Sequence, residues 1–146
     1  MAAEYGLKAG RMRVQSLLLL SQKTEEKMNS KKILIIDDEP EFVELLQLRL
    51  EKNGYSVITA KDAASAMDAV KDNPDLILLD IMMPGVDGYT LYRQFKKDDV
   101  VKSIPVIVIT AKPEMEELFK AEGVQDYLVK PIDDEELLSA IKKALE

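Results

Sequence analysis

The sequence has no cysteine and no histidine. The first absence removes disulfides and thiolate metal sites. The second removes imidazole as a general acid, general base or metal ligand. Long apolar runs are missing too. Leu17 to Leu20 is the longest leucine run, far short of the ~20 residues that a membrane helix needs. No glycine-rich phosphate loop is present, so nucleotide binding lacks support. Basic residues are the minority, 20 against 27 acidic ones, for a net charge of −7. That balance argues against sequence-independent binding to nucleic acid.

What is present is enough for one domain with a real core: 146 residues, 47% hydrophobic and 32% charged. The charge is uneven, a net of +2 over residues 1–30 and −9 over residues 31–146. The first segment reads as an N-terminal extension. Lys8, Arg11 and Arg13 before Val14 to Leu20 loosely suggest a signal peptide, but no small-residue cleavage site follows. A frayed or amphipathic helix from about Met12 to Lys27 fits the pattern better. A third reading takes Met28 as the native start.

From Lys31 the pattern is regular. The stretch Asp75 to Gly88, DLILLDIMMPGVDG, organises it. Its continuous apolar run, Leu76 to Leu79, suits a strand buried on both faces, expected over Asp75–Leu79. The run ends on Asp80, and Pro84, Gly85 and Gly88 then turn the chain. Four similar runs lie around it: Ile33–Ile36, Tyr55–Ala60, Pro105–Ile109 and Gln125–Val129. Helical spacing joins them. Pro40 opens the first helix, with Asp38 or Glu39 near its cap and Val43, Leu46 and Leu50 recurring on one face. Asp62 caps an alanine-rich second helix through Val70. The third spans about Gly88 to Lys97 with Leu91, Tyr92 and Phe95 inward. Pro113 opens a short fourth, carrying Met115, Leu118 and Phe119. Asp133 and Glu136 form a capping-box-like pair before a fifth, whose stripe is Leu137, Ile141 and Leu145. Five strand–helix units with short joints imply a parallel α/β sheet covered on both faces.

The strand ends are polar. The first strand stops at Asp37-Asp38, the third at Asp80, the fourth at Thr110 and the fifth at Lys130. Each has a bland explanation alone, as a cap, a strand-end threonine or a solvated lysine. All would have to hold at matching ends of four strands. In an open α/β sheet those carboxyl ends line one edge, where ligands bind.

These segments, Ile33–Pro40 (ILIIDDEP), Leu78–Gly88 (LLDIMMPGVDG), Ile109–Ala111 and Tyr127–Pro131 (YLVKP), resemble the receiver domain of bacterial-type response regulators. The resemblance covers about Lys31 to Glu146. It implies a five-stranded parallel sheet of order 2-1-3-4-5, an aspartyl phosphate on Asp80 and a Mg²⁺ site. Asp38, Asp80 and the Met82 carbonyl would be direct ligands, with Asp37 holding a metal-bound water. A small all-oxygen site suits that ion. Lys130 and Thr110 would hold the phosphoryl group, helped by backbone N–H groups of Met82 and Ala111. Lys130–Pro131 would be cis, and Tyr127 would be the switch aromatic that answers Thr110.

The resemblance further implies a sensor histidine kinase or histidine phosphotransfer protein as donor and a protein target downstream. The protein would be cytoplasmic, a monomer or phosphorylation-dependent dimer, with no direct DNA binding. The leading expectation is a stand-alone phospho-switch, or a receiver cut from a longer protein. A haloacid-dehalogenase-like phosphatase would need an Asp-x-Asp motif, where Asp37-Asp38-Glu39 stands. A binding module that never takes phosphate would not need the full Asp38/Asp80/Thr110/Lys130 set. The Thr110-to-Lys130 interval is slightly tight for the family. Apolar Met82, with Lys112, leads us to expect a long-lived phosphoryl group; loss within seconds in Mg²⁺ buffer would contradict that.

Overall fold

Five parallel strands form one sheet in the order β2-β1-β3-β4-β5. They are β1 Lys32–Ile36, β2 Ser56–Ala60, β3 Leu76–Leu79, β4 Val106–Thr110 and β5 Asp126–Val129. The expected order is therefore the observed one. The computed structural model describes residues 30–146. The expectations for the N-terminal extension, namely the signal-like run, the helix near Met12–Lys27 and the Met28 start, lie outside the described residues.

Five helices connect and cover the strands: α1 Pro40–Lys52, α2 Ala63–Ala69, α3 Gly88–Lys97, α4 Glu116–Ala121 and α5 Asp134–Ala144. Because side chains alternate along a strand, each strand feeds two cores. Ile33, Ile35, Leu76, Leu78, Ile107, Ile109 and Leu128 pack with Leu46 and Leu50 of α1 and Leu137 and Ile141 of α5. Leu34, Ile36, Ile77, Leu79, Val106, Val108 and Tyr127 pack with Ala66 of α2, Leu91, Tyr92 and Phe95 of α3 and Phe119 of α4. Burial on both faces is why the central strands β1, β3 and β4 read as apolar runs, while the edge strands β2 and β5 are only partly buried and carry polar residues.

Strand ends differ from expectation by a residue, for local reasons. Asp75 lies outside β3 because its carboxylate accepts from the Lys32 N–H at 2.8 Å. Pro105 lies outside β4, having no N–H to give, though its carbonyl accepts from the Ile77 N–H at 3.0 Å. The helix caps divide as well. Asp62 and Ser65 form a reciprocal capping box. Asp133 accepts from the Glu136 N–H at 2.8 Å without a return bond, so only half of the expected box exists. Glu39 occupies the cap position of α1, yet its side chain makes no cap bond. The α5 stripe is Leu137, Ala140 and Ile141; Leu145 is only half-buried, because it falls past the helix end.

Gly88 shows why the loop after β3 carries glycine where it does. A Cβ there would stand 2.4 Å from the Ile81 Cα. Only hydrogen fits, and that close approach lets α3 start directly under the loop.

Candidate functional site

The chain leaves β1 toward β2 on one side, then returns to place β3 on the other. The sheet order reverses between β1 and β3, where an open α/β sheet opens a crevice beyond its carboxyl ends. Asp37 follows β1 and Asp80 follows β3. Ladder bonds fix both backbones: the Asp37 N–H donates to the Ala60 carbonyl at 3.0 Å and the Asp80 N–H to the Ile36 carbonyl at 2.9 Å. Carboxylate oxygens of Asp37, Asp38 and Asp80 lie within 4.8 Å of one another. Asp37 and Asp80 are only 3% and 4% exposed; Asp38 is half-buried.

Among the described residues, one cation answers this cluster. The Lys130 Nζ lies 2.9 Å from Asp37 Oδ2, 3.3 Å from Glu39 Oε1 and 3.5 Å from Asp80 Oδ2. It also stands 4.0 Å from the centre of the Phe42 ring, in cation–π geometry. Lys130 follows β5 and precedes Pro131 through a cis peptide bond, the isomer expected. The other Asp80 oxygen, Oδ1, accepts from the Met82 N–H at 3.0 Å.

Burial and charge oppose each other here. Burial pushes the Asp37 carboxyl above its ordinary value, against the Glu39 N–H and Lys130, which both favour the anion. Burial alone would lower Lys130. Asp37, Asp80 and Glu39 outweigh it, and the ammonium is held above its ordinary value. Like charges about 4 Å apart repel by roughly 4 kcal/mol at an effective dielectric of 20. A single ammonium cannot offset the surrounding carboxylates. The donor set is all oxygen, anionic and partly open through Asp38, which fits a small hard divalent cation.

Thr110 closes β4 fully buried. Counting along β4, it shares the face of Val106 and Val108, opposite Ile107 and Ile109. Asp37, Asp80 and Lys130 continue the other face, that of Ile35, Leu78 and Leu128. The expected set thus straddles the sheet edge. The Thr110 Oγ1 accepts from the Lys112 N–H at 3.3 Å. The Tyr127 hydroxyl donates to the Lys112 carbonyl. Lys112 is the joint between the two.

Tyr127 is buried and packs on Phe119, ring centres 5.9 Å apart. Phe119 also meets Tyr89 at 5.5 Å and Tyr92 at 5.6 Å. The Tyr89 hydroxyl donates to Glu122 Oε1 at 2.8 Å and the Tyr92 hydroxyl to the Glu122 carbonyl at 3.0 Å. Burial, aided by the Glu122 charge, pushes the Tyr92 phenol up to about 12. An unbroken series of contacts therefore runs from Thr110 to the α3–α4 surface.

Sequence reasoning missed Glu39, Phe42 and the Glu122 clasp. Glu39 was visible as a third acid in Asp37-Asp38-Glu39. Phe42 offered no signal beyond its place in the first turn of α1.

A family profile, "Response regulator receiver domain", matches residues 33–142. Among curated proteins, PilH of Pseudomonas aeruginosa is 40% identical over 117 residues, which are 78% of this chain and 97% of PilH. PleD of Caulobacter vibrioides is 41% identical over 116 residues, 77% of this chain but only 26% of that longer protein. Among solved structures, the response regulator TrrA of Thermotoga maritima, in complex with Mg²⁺-BeF, is 34% identical with a TM-score of 0.72. That match covers 79% of this chain and 99% of TrrA. CheY4 of Vibrio cholerae is 28% identical with a TM-score of 0.74, over 80% of this chain and 99% of that one. With the sheet order, the acidic crevice and these matches in agreement, the chain belongs to the response regulator receiver family, the phospho-accepting module of two-component signalling.

Proposed function

We propose that Asp80 is the phosphoacceptor. One of its oxygens is tied to the Met82 N–H and the other faces Lys130; this arrangement carries the reading. An Asp80 oxygen attacks phosphorus in line with the leaving group. The new P–O bond forms as the bond to the donor nitrogen or acyl oxygen breaks, and the leaving group takes the electron pair. The chain has no histidine, so a phosphohistidine donor is a separate protein, a sensor kinase or a phosphotransfer protein.

Mg²⁺, which Asp38, Asp80 and the Met82 carbonyl would hold directly and Asp37 through a water, would offset the repulsion between carboxylate and phosphoryl group and stabilise the equatorial charge. Lys130 turns from its carboxylate partners to the phosphoryl oxygens as a point charge. The Thr110 hydroxyl accepts one bond and keeps its own hydrogen to donate; the phosphoryl group takes it, and N–H groups of Met82 and Ala111 add theirs. A shift of Thr110 draws on Lys112, and Lys112 holds the Tyr127 hydroxyl. Tyr127 is the switch residue, and phosphorylation raises the population of this inward packing over an outward one.

Residues 31–146 act as the receiver unit, in the cytoplasm, signalling by docking to a protein target. The −9 charge of those residues disfavours direct DNA binding. Catalysis extends only to the protein's own phosphorylation and dephosphorylation, and Met82 and Lys112 slow the latter. Intact-mass measurement after acetyl phosphate and Mg²⁺ tests the reading. Wild type should gain one phosphoryl group and Asp80→Asn none; equal uptake by both would refute it.

A further inference from the structure

Two tyrosine hydroxyls of α3 converge on one residue, Glu122, which ends α4. Its N–H donates to the Leu118 and Phe119 carbonyls at 3.2 and 3.1 Å. Gly123, at a φ of 89°, then turns the chain, so that the Val124 N–H reaches the Phe119 carbonyl at 3.1 Å. Glu122 is therefore fixed to α4, and the tyrosines fix it to α3. At the other end of α4, past Pro113–Met115, the Lys112 carbonyl takes the Tyr127 hydroxyl. The helix is six residues long, less than about two turns, so an anchor at either end restrains the whole.

Phe119 lies between the two anchors. It is fully buried, and its ring meets Tyr89 and Tyr92 on the α3 side and Tyr127 on the β5 side. The room open to Tyr127 is thus set by Phe119, and the place of Phe119 by the Glu122 end of its helix. The two bonds to Glu122 differ in setting. That of Tyr92 is partly buried, whereas that of Tyr89 lies at the surface and can open without opening the core. We propose that the Tyr89–Glu122 bond is a latch on the switch: closed, it holds α4 against α3 and favours the inward packing of Tyr127. This rests on the reading of Asp80 and Tyr127 above. Tyr89 and Glu122 are positioning residues, acting through Phe119 rather than on the phosphoryl group. By linkage, a bond that favours the inward packing also tightens the hold on the phosphoryl group.

Titration of the full chain with beryllofluoride, a phosphoryl mimic, in Mg²⁺ tests this, with amide resonances of α4 as the readout. Tyr89→Phe and Glu122→Ala should each bind about threefold more weakly than wild type, the effect of one exposed hydrogen bond. Before titration their α4 resonances should lie farther from the saturated positions, along the same line. The double variant should be no weaker than either single, because both remove one bond. Glu122→Gln keeps an acceptor oxygen and should recover most of the affinity. A merely structural contact would lower the denaturant midpoint and leave the affinity as it was. That result overturns the proposal, as do tighter binding in the variants or additive losses in the double variant. Wild type that binds no better than Asp80→Asn brings down the Asp80 reading, and this proposal with it.

Discussion

The two sides of the sheet's carboxyl edge are built from opposite materials. On the α1 side, Asp37, Asp80 and Lys130 meet within ion-pair distance, and Lys130 is only 14% exposed. On the α3–α4 side, Phe119 sits among three tyrosines, and the polar contacts are hydroxyls on carbonyls or on Glu122. The first side concentrates unlike and like charges where burial makes each worth more. The second spreads its stability over ring packing. Thr110 and Lys112 are the narrow joint between them. On the function proposed above, the difference is a division of labour: charge handles the phosphoryl group, and aromatic packing reports it.

Variants on either side should separate the two roles. Phe119→Ala should have the largest effect on stability, about 3–5 kcal/mol, because it empties the hub of the aromatic face. Phosphoryl uptake per folded molecule should persist in it; chemical denaturation alongside intact mass checks both. Lys130→Ala should come next, at about 2–3 kcal/mol in chelator, by leaving buried carboxylates uncompensated. Mg²⁺ should return part of that stability, and the near-ultraviolet tyrosine signal should stay as in wild type.

Tyr92→Phe should cost about 1 kcal/mol at neutral pH through its lost bond to Glu122. Its pH signature follows from the raised phenol. A group raised on folding contributes stability that is complete below its unfolded value and disappears as pH climbs through the folded one. Wild type should therefore lose stability between pH 10.0 and about 12. The variant should lose less over that window, as denaturant midpoints would record. Smallest should be Tyr127→Phe, within about 1 kcal/mol for one hydrogen bond. Uptake should be unchanged while the phosphoryl-induced shifts of amide resonances in α4 shrink.

Much of this was legible in the chain. The central strand runs are apolar because both faces are covered, and polar residues stop the strands, so Asp37, Asp80, Thr110 and Lys130 announced the edge. The cap at Asp62 was readable, and its partner Ser65 stood three residues on. What was not legible depends on distant segments meeting. The Glu122 clasp joins α3 to the end of α4 across 33 and 30 residues, and no local pattern marks it. Nor does helical spacing reveal that Lys130 settles over Phe42, since that follows from where the start of α1 and the end of β5 meet at the carboxyl edge. Glu39 looked like a cap residue; its carboxylate makes no cap bond and lies 3.3 Å from the Lys130 Nζ instead.

The central claim is that Asp80 takes the phosphoryl group, and trapping the acyl phosphate tests it most directly. After acetyl phosphate and Mg²⁺, borohydride reduction and peptide sequencing should find homoserine at position 80 alone. Homoserine at position 37 or 38 instead, or none in protein that binds Mg²⁺ and is folded, would contradict the account.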